Sequence, residues 1–247
     1  MHLRDLLVFF LICVCTNLHA QSHTEKIVVY VEDALPFAYL ENEKVSSPYA
    51  DYVRVLMRHA GYDPDIRLLS WAGIMHTAEA DQPVIFFPLA RTRERETKYV
   101  WLGTLIHFHQ YQFYKLKARN DIRLKNLNDA KKYRIGAIEG DAREQYLIDN
   151  GFRHHEQSGL TNIVNNKDGI RLLQIGRIEL LPLSIDNFKA ICRPDCANYE
   201  IAFPLNLHLN LELAANKATP KSVTQRIIRA YDDLEKNGTR SRLLVDH

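Results

Sequence analysis

The segment PVIFFPLARTRERETKYVWLGTL, Pro83–Leu105, changes character at Ala90. The residues before it carry no charge. After it, Arg91, Arg93 and Arg95 come at every second position, with Glu94 and Glu96 interleaved. An apolar run of this length reads as a buried strand, so the charges mark its carboxyl end. Working back toward the N-terminus, KIVVYVE (26–32) and DIRLLS (65–70) are two further strands. ADYVRVLMRHAGY (50–62) between them reads as a helix, with Tyr52, Val55, Leu56 and His59 on one face and Gly61 as its stop. WAGIMHTAEA (71–80) is a short helix. Strand, helix, strand, helix, strand implies a mostly parallel sheet covered by helices. Such folds bind ligands beside the carboxyl ends of their strands, which is where the arginines stand.

Working forward, the pattern restarts after HFHQYQFYKLK (107–117). YRIGAIEG (133–140) is a strand, and DAREQYLIDNG (141–151) is a helix stopped by Gly151. KDGIRLLQIG (167–176) is a helix and RIELLPLS (177–184) a strand. LHLNLELAANK (207–217) returns to strand. A long final helix follows, with Thr219 as N-cap, Pro220 at its first position and Gly238 as its stop. Two α/β units and a closing helix suggest two lobes with a central cleft.

The 247 residues suffice for one large domain or two small lobes. A formal net charge of +2 argues for neither nucleic acid nor an anionic membrane surface as partner. Residues 1–20, MHLRDLLVFFLICVCTNLHA, place Arg4 before an apolar run from Leu6 to Cys15 and end on Ala20. That run is too short to span a bilayer as a helix and fits a cleaved secretory signal; an uncleaved anchor is the alternative. Export leaves Cys192 and Cys196, in CRPDC, as a structural disulfide. Closing so short a loop contributes only about 2 kcal/mol in the chain-entropy model.

Several pieces together carry a resemblance: LPFAY (35–39), SWAGIM (70–75), ARTRERETKYVWLGTL (90–105), IGAIEGDAREQYLIDNGF (135–152), LLQIGRIELLPL (172–183) and ANKATPKSVTQRIIRAYDDLEKNGT (215–239). In this order and spacing the chain resembles the periplasmic solute-binding proteins of the polar amino-acid type, which have the type II periplasmic binding fold. The resemblance implies an α/β, two-lobed molecule with two hinge crossings. One lobe would comprise residues 21–111 plus 213–247, the other 112–212.

It also implies a ligand site. Thr92 reads as a helix cap, with Glu94 and Glu96 suited to the first turn. The family's arginine three residues beyond this threonine grips the ligand carboxylate, and here that residue is Arg95, whose fork of donors fits a carboxylate bidentately. Arg91, a helical turn earlier, is the neighbour at the cleft edge, and Arg93 points to solvent. Trp71 is placed at the cleft rim to stack on a ligand, with core packing as its alternative. Phe37 and Tyr39 form an apolar wall or part of the core. In the second lobe the backbone at Asp141 and Ala142 opens a helix and offers an anion site, although the family usually has a hydroxyl residue there. Asp141 is equally a good N-cap. The family's ammonium-pairing aspartate falls on Ser184, with Asp186 two residues later, and Pro88 and Ala90 stand where the family has a serine. The resemblance thus carries over the carboxylate grip, while the ammonium grip stays open between Asp186, should its loop shift, and a carboxylate ligand that lacks the usual α-ammonium contacts.

These residues point to a periplasmic receptor, acting as a monomer, for an amino acid or small carboxylate. It would deliver to an ABC-type permease or report to a membrane sensor. Two alternatives stand beside this. One is a cyclohexadienyl-dehydratase-like enzyme on the same scaffold, with Glu139, Asp141 or Glu179 as its acid or base. The other is a signalling or scaffold derivative that has lost its ligand. No nucleophile elbow or phosphate loop occurs, and no cofactor is expected. Neither the pair His107 and His109 nor the pair His154 and His155 has the companions a metal site needs.

Overall fold

The computed structural model describes residues 24–155 and 157–244, except for the side chains of Phe108 and His109. The secretory-signal expectation lies outside the described residues. Strands β1 (Glu25–Glu32), β4 (Tyr62–Leu69) and β5 (Ile85–Ala90) are parallel neighbours in the order β4-β1-β5. Helix α1 (Pro48–His59) and helix α2 (Trp71–Ala78) make the crossovers, as the alternation in the sequence predicts. A small hairpin, β2 (Tyr39–Glu41) with β3 (Lys44–Ser46), precedes α1.

Ser47 starts α1. Its Oγ accepts from Ala50 N at 2.9 Å and donates to Phe37 O at 2.6 Å, and Pro48 takes the first helical position. A cap of this kind contributes about 1 kcal/mol. The face α1 buries is Tyr52, Val53, Leu56 and Met57. It does not include His59, which lies at the surface 3.7 Å from Asp233.

The chain then departs from the sequence expectation. HFHQYQFYKLK is not a break between units but the second half of one 17-residue strand, β6 (Val100–Leu116). Its antiparallel partner, β10 (Tyr199–Ala215), also has 17 residues and starts well before Leu207. At roughly 3.3 Å per residue each covers on the order of 50 Å, enough to cross both halves of the molecule. The sheet order is β4-β1-β5-β10-β6-β9, where β9 is Leu181–Ser184. Pro88 has no N–H to give to β10. The β5–β10 register slips beside it, between Glu212 and Ala214.

The second unit hangs on the far halves of the long strands. It contains β7 (Arg134–Ala137) parallel to β8 (Gly159–Asn162), and helices α3 (Ala142–Asp149), α4 (Asn166–Gln174) and α5 (Ile185–Ile191). A parallel bridge, Ile135 to Leu180, ties β7 to the start of β9. Cys192 and Cys196 are disulfide-bonded just after α5, with Cα atoms 4.8 Å apart.

Helix α6 (Lys221–Lys236) returns to the first unit, followed by the short α7 (Thr239–Leu243). Pro220, not Thr219, is the N-cap of α6, and no side chain caps it. The Thr219 hydroxyl is committed elsewhere: it accepts from Val84 N at 3.2 Å and donates to Asn216 Oδ1 at 2.9 Å. Tyr231 of α6 lies flat on β6 at Gly103, where an added Cβ would meet its ring at 2.2 Å.

The apolar interior follows this division. One cluster joins α1, β1, β4 and α6 around Val31, Leu56, Leu213 and Ile227. Another, around Phe113, Ile135, Leu147 and Leu205, belongs to the second unit. A third runs from Trp71, Ile74 and Phe86 of the first unit to Ile138, Ile163 and Leu181 of the second. Among the described residues no helix is long and apolar enough to cross a membrane.

Candidate functional site

Between the two units lies a cavity of about 40 Å³, room for on the order of one water molecule. The first unit contributes Glu32 from the end of β1, Phe37 from the following loop, Trp71 from the start of α2, Pro88 and Ala90 from the end of β5, and Arg95. The crossing strands add Tyr111 and Leu211. The second unit contributes Asp141, Ala142 and Arg143 from the start of α3, Asn166 from the start of α4, and Asn187 from α5. Strand ends and helix N-termini thus converge, as expected of a parallel α/β sheet. A wider groove of about 810 Å³ opens beside the cavity and shares Trp71, Arg95 and Ala142 with it; Thr92 and Glu139 line its wall.

Arg95 does not lie in a helix. Residues 93–98 form consecutive turns, in which Arg95 N bonds Thr92 O at 3.1 Å and Lys98 N bonds Arg95 O at 3.0 Å. The connection from β5 to β6 is too short to settle into a helix and still reverse the chain. The turns nonetheless deliver the arginine to the cleft. Thr92 Oγ1 accepts from Arg95 N at 3.3 Å, a looser form of the expected cap.

The Arg95 side chain is 8% exposed. Its Nη1 donates to Ala90 O at 3.1 Å and its Nη2 to Gly140 O, in the other unit, at 2.7 Å. The guanidinium carbon sits 5.1 Å from the centre of the Trp71 ring. Carbonyl oxygens satisfy donors but leave the charge in place. Among the described residues no carboxylate lies within ion-pair distance of it. Burial accordingly pulls its pKa down, against the field of Asp141.

Arg143 is the opposite case. Its Nε and Nη2 grip Asp141 bidentately at 2.8 Å each, and its Nη1 donates to Asn166 Oδ1 and Pro182 O at 2.9 Å. Asp141 is also the N-cap of α3, accepting from Arg143 N at 2.7 Å. Burial would raise the Asp141 carboxyl, but the adjacent guanidinium and this backbone bond hold it below the ordinary range.

Glu32 has neither kind of support. Among the described residues nothing hydrogen-bonds its carboxyl group. Burial, and then the nearby Asp141 carboxylate, push its pKa up to about 7. Tyr111, beneath the Arg143 guanidinium at 5.7 Å, is likewise raised by burial.

The other residues singled out in the sequence fall in several places. Trp71 is buried, and its Nε1 donates across the cleft to Glu139 O at 3.1 Å. Phe37 is buried, packs edge-on against Tyr49 with ring centres 5.6 Å apart, and lines the cavity. Tyr39 lies on the outer hairpin, away from the cavity. Arg91 points away from the cleft. It pairs with Glu96 through Nε at 2.9 Å and Nη2 at 2.6 Å and covers Trp101, because the turn after Thr92 breaks the helical register that would have aligned it with Arg95. Arg93 is exposed.

Ser184 is fully buried as the N-cap of α5, bonded to Asn187. Asp186 faces a different groove, with Lys189 and Arg193. Asn187, between the two faces, lines the cavity and donates to Leu35 O across the cleft at 2.8 Å. Glu179 is held by Arg119 and Arg134 away from the cavity, and the Glu139 side chain is exposed. His154 pairs with Glu144 at 2.9 Å.

Glu32, Tyr111, Arg143, Asn166 and Asn187 are polar cavity residues that the sequence pattern did not single out. For Glu32 the signal was available: it is the last residue of the first strand, at the carboxyl end where ligands bind.

Strand order, the paired long crossings and the cleft between two α/β units together decide the architecture. The chain has the type II periplasmic-binding-protein fold. Solved structures share it over most of their length. An arginine-, lysine-, histidine-binding protein from Geobacillus stearothermophilus superimposes with a TM-score of 0.75 at 15% identity, covering 89% of this chain and 93% of that one. An ancestral arginine-binding protein bound to arginine gives 0.73 at 18% identity, covering 90% and 97%. A histidine kinase sensor domain with similarity to periplasmic binding proteins gives 0.75 at 15% identity, covering 88% and 93%. No family model and no curated protein matches the sequence. In this binding-protein fold β6 and β10 are the two crossings, and Arg95 and Arg143 face one cleft from opposite sides.

Proposed function

We propose that this chain is an exported solute-binding protein of the polar amino-acid type. Residues 21–111 and 213–247 form one lobe and 112–212 the other, and the protein works as a monomer in the periplasm. Its ligand is a small amino-acid-like carboxylate, and it serves an ABC-type importer or a membrane sensor. One observation carries this reading: Arg95 is a buried cation in the cleft wall with carbonyl partners and, among the described residues, no carboxylate within ion-pair distance. Burying an ion without a counter-ion costs several kcal/mol, and a ligand carboxylate recovers that cost through the guanidinium's remaining donors. Glu32 supplies what Ser184 does not, an acid free to meet a ligand cation. A zwitterion is therefore the best fit, in line with structural neighbours that were solved bound to arginine.

The test is a thermal-shift panel of amino acids and small carboxylates on the wild type and Arg95→Ala. A carboxylate that raises Tm in the wild type alone supports the reading. Equal stabilisation of both forms rules out Arg95 as the grip.

A second reading has one observation in its favour. Glu32, at about 7, titrates where a general acid or base works best. It fits a dehydratase on the same scaffold, with Glu32 taking the place of Glu139, Asp141 and Glu179. Turnover of prephenate or arogenate, abolished by Glu32→Gln, would favour it.

A further inference from the structure

The end of the second unit that faces away from the cleft gathers unpaired cations. β7 and β8 are parallel, and their carboxyl ends lead to Asp141 and Asn166 at the cavity. β6 runs antiparallel to β9 and ends at Leu116, beside the amino end of β9. Residues 117–134, which join β6 to β7, therefore cross the pole of this unit opposite the cavity. α3 and α4 end at the same pole. An added Cβ at Gly151 would meet Lys131 Nζ at 3.0 Å, and Arg134 Nη2 donates to Gly176 O at 3.0 Å. Of the eighteen residues 117–134, seven are Lys or Arg and two are acids.

Part of this charge serves the fold. Arg119 grips Asp121 through Nε at 2.8 Å and Nη2 at 2.7 Å, and reaches Glu179 at 2.9 Å. Arg134 and Arg153 donate to carbonyls at the ends of α4 and α3, where a cation is favoured. Six others are left: Lys117, Arg123, Lys125, Lys131, Lys132 and Arg177. Among the described residues no carboxylate lies within ion-pair distance of any of them. Lys131 and Lys132 sit 5.4 Å from the ring centres of Phe152 and Tyr133, contacts that hold an ammonium without cancelling its charge. Asp129 is near Lys125 and Lys132, but its carboxylate accepts from the backbone N–H groups of Lys125 and Asn126. With Asp149 and Asp195 it makes three unpaired acids against six cations at this pole, among the described residues. The chain's net charge of +2 hides this, because a sum carries no position.

We infer that this pole is a docking surface for anionic lipid headgroups, holding the protein at a membrane with its cleft turned away. Four of the six cations are lysines. Lysine is depleted from interfaces between proteins, and its ammonium is a hydrated point charge on a flexible stem. That suits a diffuse field of headgroups better than a fitted acidic partner, for which the arginine fork is the better match. Ile175, at the C-cap of α4, is 60% exposed on the same end, and an apolar side chain among cations is what an interface between water and lipid receives. The surface is separate from the cavity, so the inference does not depend on Arg95.

The experiment is vesicle co-flotation of the full chain with phosphatidylcholine alone and with phosphatidylcholine and phosphatidylglycerol in equal parts. The apolar run at 6–15 would add the same affinity in every form, so the readout is the ratio of partition between the two vesicles. Three proteins are compared: wild type, a pole variant with Lys117, Lys125, Lys132 and Arg177 each changed to Gln, and a charge-matched control with Lys26, Lys44, Arg58 and Lys221 of the first unit changed to Gln. All the substituted side chains are exposed, so the fold does not depend on them.

Each Lys or Arg near an anionic surface is worth about fivefold in partition. The wild type should therefore favour the anionic vesicles by on the order of 100-fold or more at about 0.1 M NaCl. It should lose most of that preference at about 1 M, where the screening length falls from about 10 Å to about 3 Å. The pole variant should keep less than about a tenfold preference, and the control should stay within about threefold of the wild type. Equal partition of the wild type into both vesicles overturns the inference. So does an equal loss in the two variants, which would make net charge the cause and not the pole. Binding of poly-L-glutamate without any preference for the anionic vesicles would also overturn it and assign the surface to an acidic polymer.

Discussion

The Arg95 guanidinium and the Gly140 carbonyl meet across the cleft: Nη2 of the first donates to O of the second at 2.7 Å. One residue earlier on the same loop, the Glu139 carbonyl accepts from Trp71 Nε1 at 3.1 Å. Gly140 N in turn donates to the buried Glu144 carboxylate at 2.6 Å. Two side chains of the first unit thus bond the backbone of one loop of the second, and the same two side chains line the cavity. On the proposed reading, closure and ligand recognition share these donors.

Trp71→Phe separates these roles. The ring that covers Arg95 remains, but the bond to Glu139 O is lost. The net loss of one hydrogen bond is about 1 kcal/mol, so affinity for a ligand bound between the lobes should fall about fivefold. Titration calorimetry measures this, and unchanged affinity would show that the Trp71–Glu139 bond has no part in closure.

Glu32 makes stability and binding depend on pH in opposite directions. Below its ordinary value of 4.5 it is protonated in both folded and unfolded chains. As pH rises toward about 7 the unfolded chain releases its proton first, so the native state binds more protons and loses stability. Glu32→Gln removes that loss. Its Tm should exceed that of the wild type above pH 7, and the difference should vanish below pH 4.5. A ligand cation favours the ionised form, so wild-type affinity for L-arginine should rise through about pH 7 and that of Glu32→Gln should not. Parallel Tm profiles in the two proteins would place the Glu32 pKa at its ordinary value.

Much of the architecture was legible because hydrophobic periodicity reports burial. The three parallel strands and the helices between them follow directly from it. Two features were not legible. In β6 the polar residues between Leu105 and Phe113 obscure a single strand, because a crossing between lobes is less buried at its middle and loses the pattern. At Thr92 the local signals favour a helix, but the chain must turn back into β6 within a few residues, and that long-range constraint overrides the cap. The site shows the same division. The family resemblance singled out Arg95, three residues after Thr92, and Arg95 lines the cavity. Arg143, Tyr111 and Asn187 did not, because only the tertiary structure brings α3, β6 and α5 to one cavity. Arg91 looked like a neighbour of Arg95 only while the segment was taken as helical.

Gly103 tests how tightly α6 seals the first lobe. A Cβ there would meet the Tyr231 ring at 2.2 Å. Tyr231 is also anchored by its hydroxyl, which donates to Thr104 O at 3.1 Å, and cannot easily withdraw. Gly103→Ala should therefore destabilise the protein by about 1–3 kcal/mol. Chemical denaturation reads this directly, and restoration by Tyr231→Ala in the same chain would locate the clash.

Replacing Cys192 and Cys196 by serine opens a small loop after α5, remote from Arg95. The expected loss is about 2 kcal/mol in denaturant unfolding, with ligand affinity unchanged. A change in affinity would mean that the loop helps to place Asn187.

The proposed carboxylate grip is measured most directly by a double-mutant cycle between the protein and the ligand. L-arginine and agmatine differ by the carboxylate, and wild type and Arg95→Ala differ by the guanidinium. Calorimetric affinities for the four combinations give the coupling free energy between the two groups. A buried guanidinium gripping a carboxylate predicts a coupling of about 2–3 kcal/mol, with agmatine binding almost equally to both proteins. A coupling near zero, with L-arginine bound as tightly by Arg95→Ala as by the wild type, would contradict it.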